Sequence, residues 1–281
     1  MKKMVILNAL LTAAAVVFAQ EGSVDLAKKA AWDASTKKYI TVLEGAIASE
    51  KMIFMTQAKS IKIDPSKTYT VSFSASSEGE KESTVRIGFK CFTADNKMIS
   101  SQNALVQPKT DTVLAADAKK GDTVLLLKDA SGWKNWSFLV LAFNTKPDLS
   151  DLPNFDTAVC RVANIEKKAG SWQVTLKQPL PKDLPAGTGI RQHLQSSMFF
   201  AGKAISVGKT PVPVSASVKG IGQGLFGPEK WPAGTDHVIT VFFVNPNGKD
   251  LNKILQFVQV FFVNPNGKVK TTLKDAKLTI Q

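Results

Sequence analysis

Cysteine, histidine and arginine are scarce in this chain of 281 residues. It has two cysteines, Cys91 and Cys160, two histidines, His193 and His237, and three arginines, Arg86, Arg161 and Arg191. Two cysteines without Cys-x-x-Cys spacing, together with two histidines, cannot build a standard zinc site. Neither a Gly-x-Ser-x-Gly elbow nor a His-Glu-x-x-His pair occurs, so the motif-bearing hydrolases and zinc proteases find no support. Arginine is the preferred partner of phosphate, and its scarcity makes nucleic acid the weakest of the acidic partners that could be considered. No long apolar run follows the N-terminal one, so the mature chain has no candidate membrane span.

What is present begins with residues 1–19, which read as a cleaved export signal. Lys2 and Lys3 open it, residues 4–18 are apolar except for Asn8 and Thr12, and Val17, Phe18 and Ala19 precede Gln20 at the cleavage position. The run is short for a span, which needs about 20 residues. A buried N-terminal helix is the competing reading. No cysteine follows the run, which disfavours a lipid anchor. A secreted, periplasmic or cell-surface location is therefore expected. The formal charge is +13. The leader's two lysines carry two of these charges, leaving +11 on the mature chain. That surplus fits a soluble lysine-rich surface, or affinity for something acidic such as a charged polysaccharide or an anionic envelope.

Beyond the leader the pattern is β. Residues 69–75 and 84–91 alternate with period two, and 123–127, 138–143, 172–176, 238–244 and 257–263 are short β-type runs. Turn signals such as Asp64-Pro65-Ser66-Lys67, Gly121-Asp122 and Ser131-Gly132 separate them. The one helix-like stretch is 24–32. Alternation puts Cys91 on a core face with Val85, Ile87 and Phe89. A buried free thiol is expected there, with a Cys91–Cys160 disulfide as the alternative that export permits. Residues 241–249 (Val-Phe-Phe-Val-Asn-Pro-Asn-Gly-Lys) recur unchanged at 260–268. This is a strand running into a Pro-Asn-Gly turn, duplicated locally. A second echo pairs Leu184-Pro185-Ala186-Gly187-Thr188 with Trp231-Pro232-Ala233-Gly234-Thr235, each a turn that launches a strand. Residues 110–195 have their own β content and turn chemistry. They read as a small β module inserted between two halves of one sandwich, 20–109 and 196–281.

Two segments carry a resemblance. Residues 60–73 (Ser-Ile-Lys-Ile-Asp-Pro-Ser-Lys-Thr-Tyr-Thr-Val-Ser-Phe), followed by Ile87-Gly88-Phe89-Lys90-Cys91-Phe92, resemble the jelly-roll β-sandwich of carbohydrate-binding modules of the galactose-binding-like type. Thr112-Val113-Leu114, Lys120-Gly121-Asp122-Thr123-Val124 and Asp129-Ala130-Ser131-Gly132-Trp133 resemble an insertion in secreted proteins of that kind. The resemblance implies an all-β jelly roll with an inserted barrel-like module and a non-catalytic sugar-binding role. These signatures speak to fold more than to ligand.

A sugar site needs flat aromatic faces beside polar groups. The candidates are Trp133, Trp136 and Trp231, with Phe226 and Arg191; Trp172 is a further aromatic. Core packing is the competing role for each tryptophan. Asp148, Asp151 and Asp156, near Asn144 and Asn154, offer oxygen ligands for a structural calcium, against a plain solvated acidic loop. The Gly-rich stretch 220–228 lacks the following helix that a phosphate cradle requires. The expectation is a secreted, non-catalytic protein that binds a glycan, an acidic one given the lysines. The alternative is a structural or adhesive surface protein that assembles through strand contacts. Glycosidase chemistry, which needs only two carboxylates, is a distant third.

Overall fold

The computed structural model describes residues 22–50, 52–78, 83–196, 198–222, 230–245 and 270–281. The expected leader, Phe226, the strand at 257–263 and the second copy of the repeat lie outside the described residues. The first flank forms β1 (Gly22–Asp25), β2 (Thr41–Leu43), β3 (Ala46–Ser49), β4 (Ile53–Thr56), β5 (Ile61–Lys62), β6 (Thr68–Ser77), β7 (Ser83–Phe92) and β8 (Met98–Ile99). The middle forms β9 (Thr112–Val113), β10 (Val124–Leu127), β11 (Leu139–Phe143), β12 (Thr157–Ala158), β13 (Val162–Lys168), β14 (Ser171–Leu176) and β15 (Gly189–Leu194). The returning flank forms β16 (Phe199–Val207), β17 (Val212–Lys219), β18 (Ile221–Gly222), β19 (Trp231–Pro232), β20 (His237–Asn245) and β21 (Thr271–Ile280).

Helix among the described residues is confined to short turns, including α1 (Ala34–Lys37) and α2 (Ser101–Ala104). The helix-like stretch 24–32 is mostly not helical. Val24 pairs with Leu278 in a β1–β21 ladder, and only Lys29–Ala31 makes a 3-10 turn. Four ladder positions with a long partner strand outweigh the local preference of two alanine-lysine steps.

The two flanks build two six-stranded antiparallel sheets. The first runs β17-β6-β21-β3-β2, with β1 added on β21. The second runs β16-β7-β20-β4, with β5 on β20 and β8 on β7. Period-two alternation decides which face is buried. In β6, Tyr69, Val71, Phe73 and Ala75 point inward while the hydroxyl-bearing residues between them are half-buried. In β7, Val85, Ile87, Phe89 and Cys91 join the same apolar cluster. The sheets meet where Phe242 of β20 touches Phe73 of β6, with ring centroids 4.9 Å apart, and Trp32, at 5.2 Å. The result is sandwich-like and all-β. Pairing across the flanks is nested: β7 with β16, β6 with β17, β4 with β20, β3 with β21.

The middle strands form a three-stranded sheet, β10-β14-β13, and a four-stranded sheet, β12-β11-β15-β9. Their apolar cluster draws on residues from Leu114 to Ile190, whereas the cluster between the two large sheets draws on Leu26 to Ala104 and Ala201 to Ile280. Between them lies a polar seam. Asn154 N–H donates to the Asn103 carbonyl at 2.7 Å, Asn103 Nδ2 returns a bond to the Asn154 carbonyl at 3.1 Å, and Ser101 Oγ donates to the Ser196 carbonyl at 2.8 Å.

Phe242 is 1 % exposed and bridges both sheets. Phe242→Ala is expected to cost about 3–5 kcal/mol through lost burial and a residual cavity, read as a lowered denaturant midpoint.

Candidate functional site

The residues nominated by sequence divide sharply once placed. Trp231 is 2 % exposed and wedged between Phe89 and Tyr69, with ring centroids 4.9 and 5.6 Å away. Trp133 is 4 % exposed, and its Nε1 donates to the Thr110 carbonyl at 2.8 Å. Both are core residues and cannot stack on a ligand. Trp172 is half-buried against the middle cluster. Trp136, by contrast, is 45 % exposed and lies 5.4 Å from the half-buried Phe138 ring at a 32° tilt.

The loop that carries Trp136 is held on both sides. Asp129 accepts from Ser131 N–H at 2.9 Å and so starts a turn. Gly132 packs so closely that an added Cβ would lie 1.8 Å from the Lys109 carbonyl oxygen, so no other residue fits. The buried Trp133 indole then pins the strand of chain. Gln192 clamps the next peptide twice, accepting from Lys134 N–H at 2.9 Å and donating to the Lys134 carbonyl at 2.6 Å. Leu139 N–H closes onto the Trp136 carbonyl at 3.2 Å, and Gln195 N–H binds the Phe138 carbonyl at 2.8 Å. Trp136 and its exposed neighbours Lys134 and Asn135 are thus presented on a braced loop, which lowers the ordering cost of binding.

Arg191 is fully buried on β15, and all three of its side-chain nitrogens are engaged within the protein. Its Nε donates to His193 Nε2 at 2.7 Å, Nη1 to Asp111 at 3.0 Å and to the Lys146 carbonyl at 3.2 Å, and Nη2 to Asp151 at 2.5 Å. The nomination of Arg191 as a ligand contact is therefore corrected. Its role is to tie β15 to the loops around 111 and 146–151, where a buried cation needs a full set of acceptors. Burial works against ionisation of Asp151. Even so, hydrogen bonds from Asn154 and the Lys146 N–H, with the Arg191 charge, hold its carboxyl below the usual carboxylate range. His193 donates from Nδ1 to the Gln102 carbonyl at 2.7 Å and accepts from Arg191. Burial, then the Arg191 charge, pushes its pKa down to about 4, so the ring is neutral at pH 7.

The acidic loop is spent in the same way. Asp151 serves Arg191, and Asp156 pairs with Lys182 at 2.6 Å and accepts from Asn144 Nδ2 at 2.6 Å. Asp148 accepts from Ser150 N–H at 3.0 Å. Among the described residues no group of three or more His, Cys, Asp or Glu could hold a metal ion. Cys91 and Cys160 are free and buried in different apolar clusters, which rules out the bridge, and burial raises both thiols.

Sequence reasoning missed Gln192 and the reach of Asp151. The one available signal was a run of three polar residues, Arg191-Gln192-His193, inside a strand buried on both faces. No family model matches the chain, and comparisons with curated proteins and with solved structures likewise found no match.

His193 gives a pH dependence of defined sign. As pH falls from 6.5 toward 4, the unfolded chain protonates this histidine and the folded chain does not. Stability supplied by neutral His193 is full above pH 6.5 and is lost progressively down to about 4, up to about 3 kcal/mol. Urea midpoints measured across this window should fall with pH, and less steeply for His193→Gln.

Proposed function

We propose that the protein is a secreted, non-catalytic binding protein that takes carbohydrate on the Trp136–Phe138 face, and that its two large sheets form a jelly roll. The carrying observation is the exposed indole of Trp136, 45 % accessible on a loop braced from beneath by Gln192 and Trp133. The exposed Trp136 indole, packed on the half-buried Phe138 ring, matches the apolar face of a sugar ring. Lys134 and Asn135 supply donors for hydroxyl or carboxylate groups at the rim. The nested strand pairing, with β3, β4, β6 and β7 and then β16, β17, β20 and β21 alternating between the sheets within each flank, supports the jelly-roll assignment. The leader sequence supports export. The acidic loop residues are engaged in ion pairs and turns, so this reading needs no calcium.

Trp136→Ala is expected to weaken retention on the recognised polysaccharide by about 2 kcal/mol, roughly thirtyfold. Its unfolding midpoint should stay within about 0.5 kcal/mol of the parent. Affinity electrophoresis through a panel of neutral and acidic polysaccharides, with thermal unfolding alongside, reads both. Unchanged retention of the variant would sink the reading.

One observation favours assembly through strands instead. β2 is a sheet edge, and Tyr39, Val42 and Leu43 on or beside it are 39 %, 40 % and 39 % exposed. An edge with apolar side chains is a template for another strand. If assembly is the function, light scattering will show oligomers that Val42→Lys disperses. A monomer at high concentration counts against it.

A further inference from the structure

The outer face of the second sheet carries a half-buried cation, Arg86, with no acidic partner among the described residues. Alternation along β7 sends Val85, Ile87 and Phe89 into the core, so Arg86, Gly88 and Lys90 face the other way. Phe200 of β16 is the register partner of Gly88, and its ring lies over that glycine. A Cβ at Gly88 would sit 3.2 Å from Phe200 Cδ1 and 3.1 Å from the Phe199 carbonyl oxygen. Glycine therefore makes the floor that lets the ring lie flat. The Arg86 guanidinium carbon lies over this ring, 4.1 Å from its centroid.

Arg86 is half-buried, and its Nε is shielded from solvent without any hydrogen-bond partner. No ion pair to Arg86 occurs among the described residues, and burial lowers its pKa. A second feature shapes the same place. The β7–β16 ladder shifts register between Ala201 and Ile205, so Gly202, Lys203 and Ala204 bulge opposite Arg86. Gly202 takes φ +69° there. Bulges re-aim side chains and open space at sheet edges, and β16 is the edge of this sheet. The exposed Lys203 flanks the opening, and Lys90 follows Arg86 on the same face about 13 Å along the strand. Asp33 lies within electrostatic reach of Lys90 and offsets that end, so the anion preference is centred on Arg86.

We propose that the Arg86–Phe200 shelf is a second binding site, which takes a carboxylate of an extended acidic polysaccharide. The ring contact holds the guanidinium in place, and its terminal N–H groups form a planar fork, the shape that matches a carboxylate with two parallel bonds. Arg86 with the exposed Lys203 of the bulge beside it suits a chain whose charges repeat, which favours an acidic glycan over an isolated anion. The site sits on the sandwich, six residues along β7 from Phe92, and does not depend on Trp136.

The test is titration calorimetry of the full chain with oligogalacturonate, its methyl ester and oligoglutamate. The parent should bind oligogalacturonate and not the ester. Arg86→Gln should weaken binding tenfold or more. Arg86→Lys should fall nearly as far, because lysine keeps the charge but loses the fork. Phe200→Leu, which keeps an apolar side chain and avoids reliance on one variant folding, should also weaken binding. Lys277→Gln, which removes an exposed cation from β21 in the other sheet, should leave it unchanged, which ties the loss to this shelf and not to net charge. No binding of oligogalacturonate by the parent, equal binding of the ester, full affinity in Arg86→Gln, or a preference for oligoglutamate would each overturn the proposal.

Discussion

The antiparallel pairing of β7 with β16 constrains everything else in this chain. Paired strands lie about 5 Å apart, so the residues between them must leave the sheet and return to nearly the same point. The intervening chain meets that demand: residues 114–190 close their own apolar cluster, and the segments before and after them meet at one seam. The seam is polar, built by Ser101, Asn103, Asn154 and Ser196. Hydrogen bonds there fix direction as well as distance, which an apolar contact would not. The Arg191 cluster extends this fixing inward by tying β15 to Gln102 of α2 through His193.

Much of the strand pattern is legible in the sequence because period-two alternation is a local property. Residues 69–75 and 84–91 read as strands and lie within β6 and β7, and 238–244 lies within β20. The turns after Leu184 and Trp231 likewise launch β15 and β20. Local signals fail where a distant partner decides. Val24 is taken into a strand by Leu278, some 250 residues away, against an alanine-rich context that favours helix.

The candidate site residues were harder to read for a related reason. A tryptophan beside a glycine-rich turn looks the same in sequence whether it faces water or core. Trp133 and Trp136 are three residues apart in one loop, yet one is 4 % exposed and the other 45 %. What separates them is the Thr110 carbonyl and the Gln192 side chain, both contributed from elsewhere in the chain. The Arg191 charge looks unpaired in sequence, and the acids that neutralise it sit 40 and 80 positions away. Arg86, which no motif marked, is left without such partners.

The two unpaired thiols have a consequence of their own. Cys91 lies in the cluster between the large sheets and Cys160 in the cluster of the middle strands, with 0 % and 3 % exposure. Each sulfur becomes reactive only when its own surroundings open. The chain therefore carries a separate chemical reporter in each of its two cores. Alkylation of Cys91 counts openings of the sandwich, alkylation of Cys160 counts openings of the middle strands, and the ratio of the two rates measures how tightly the seam makes them unfold as one.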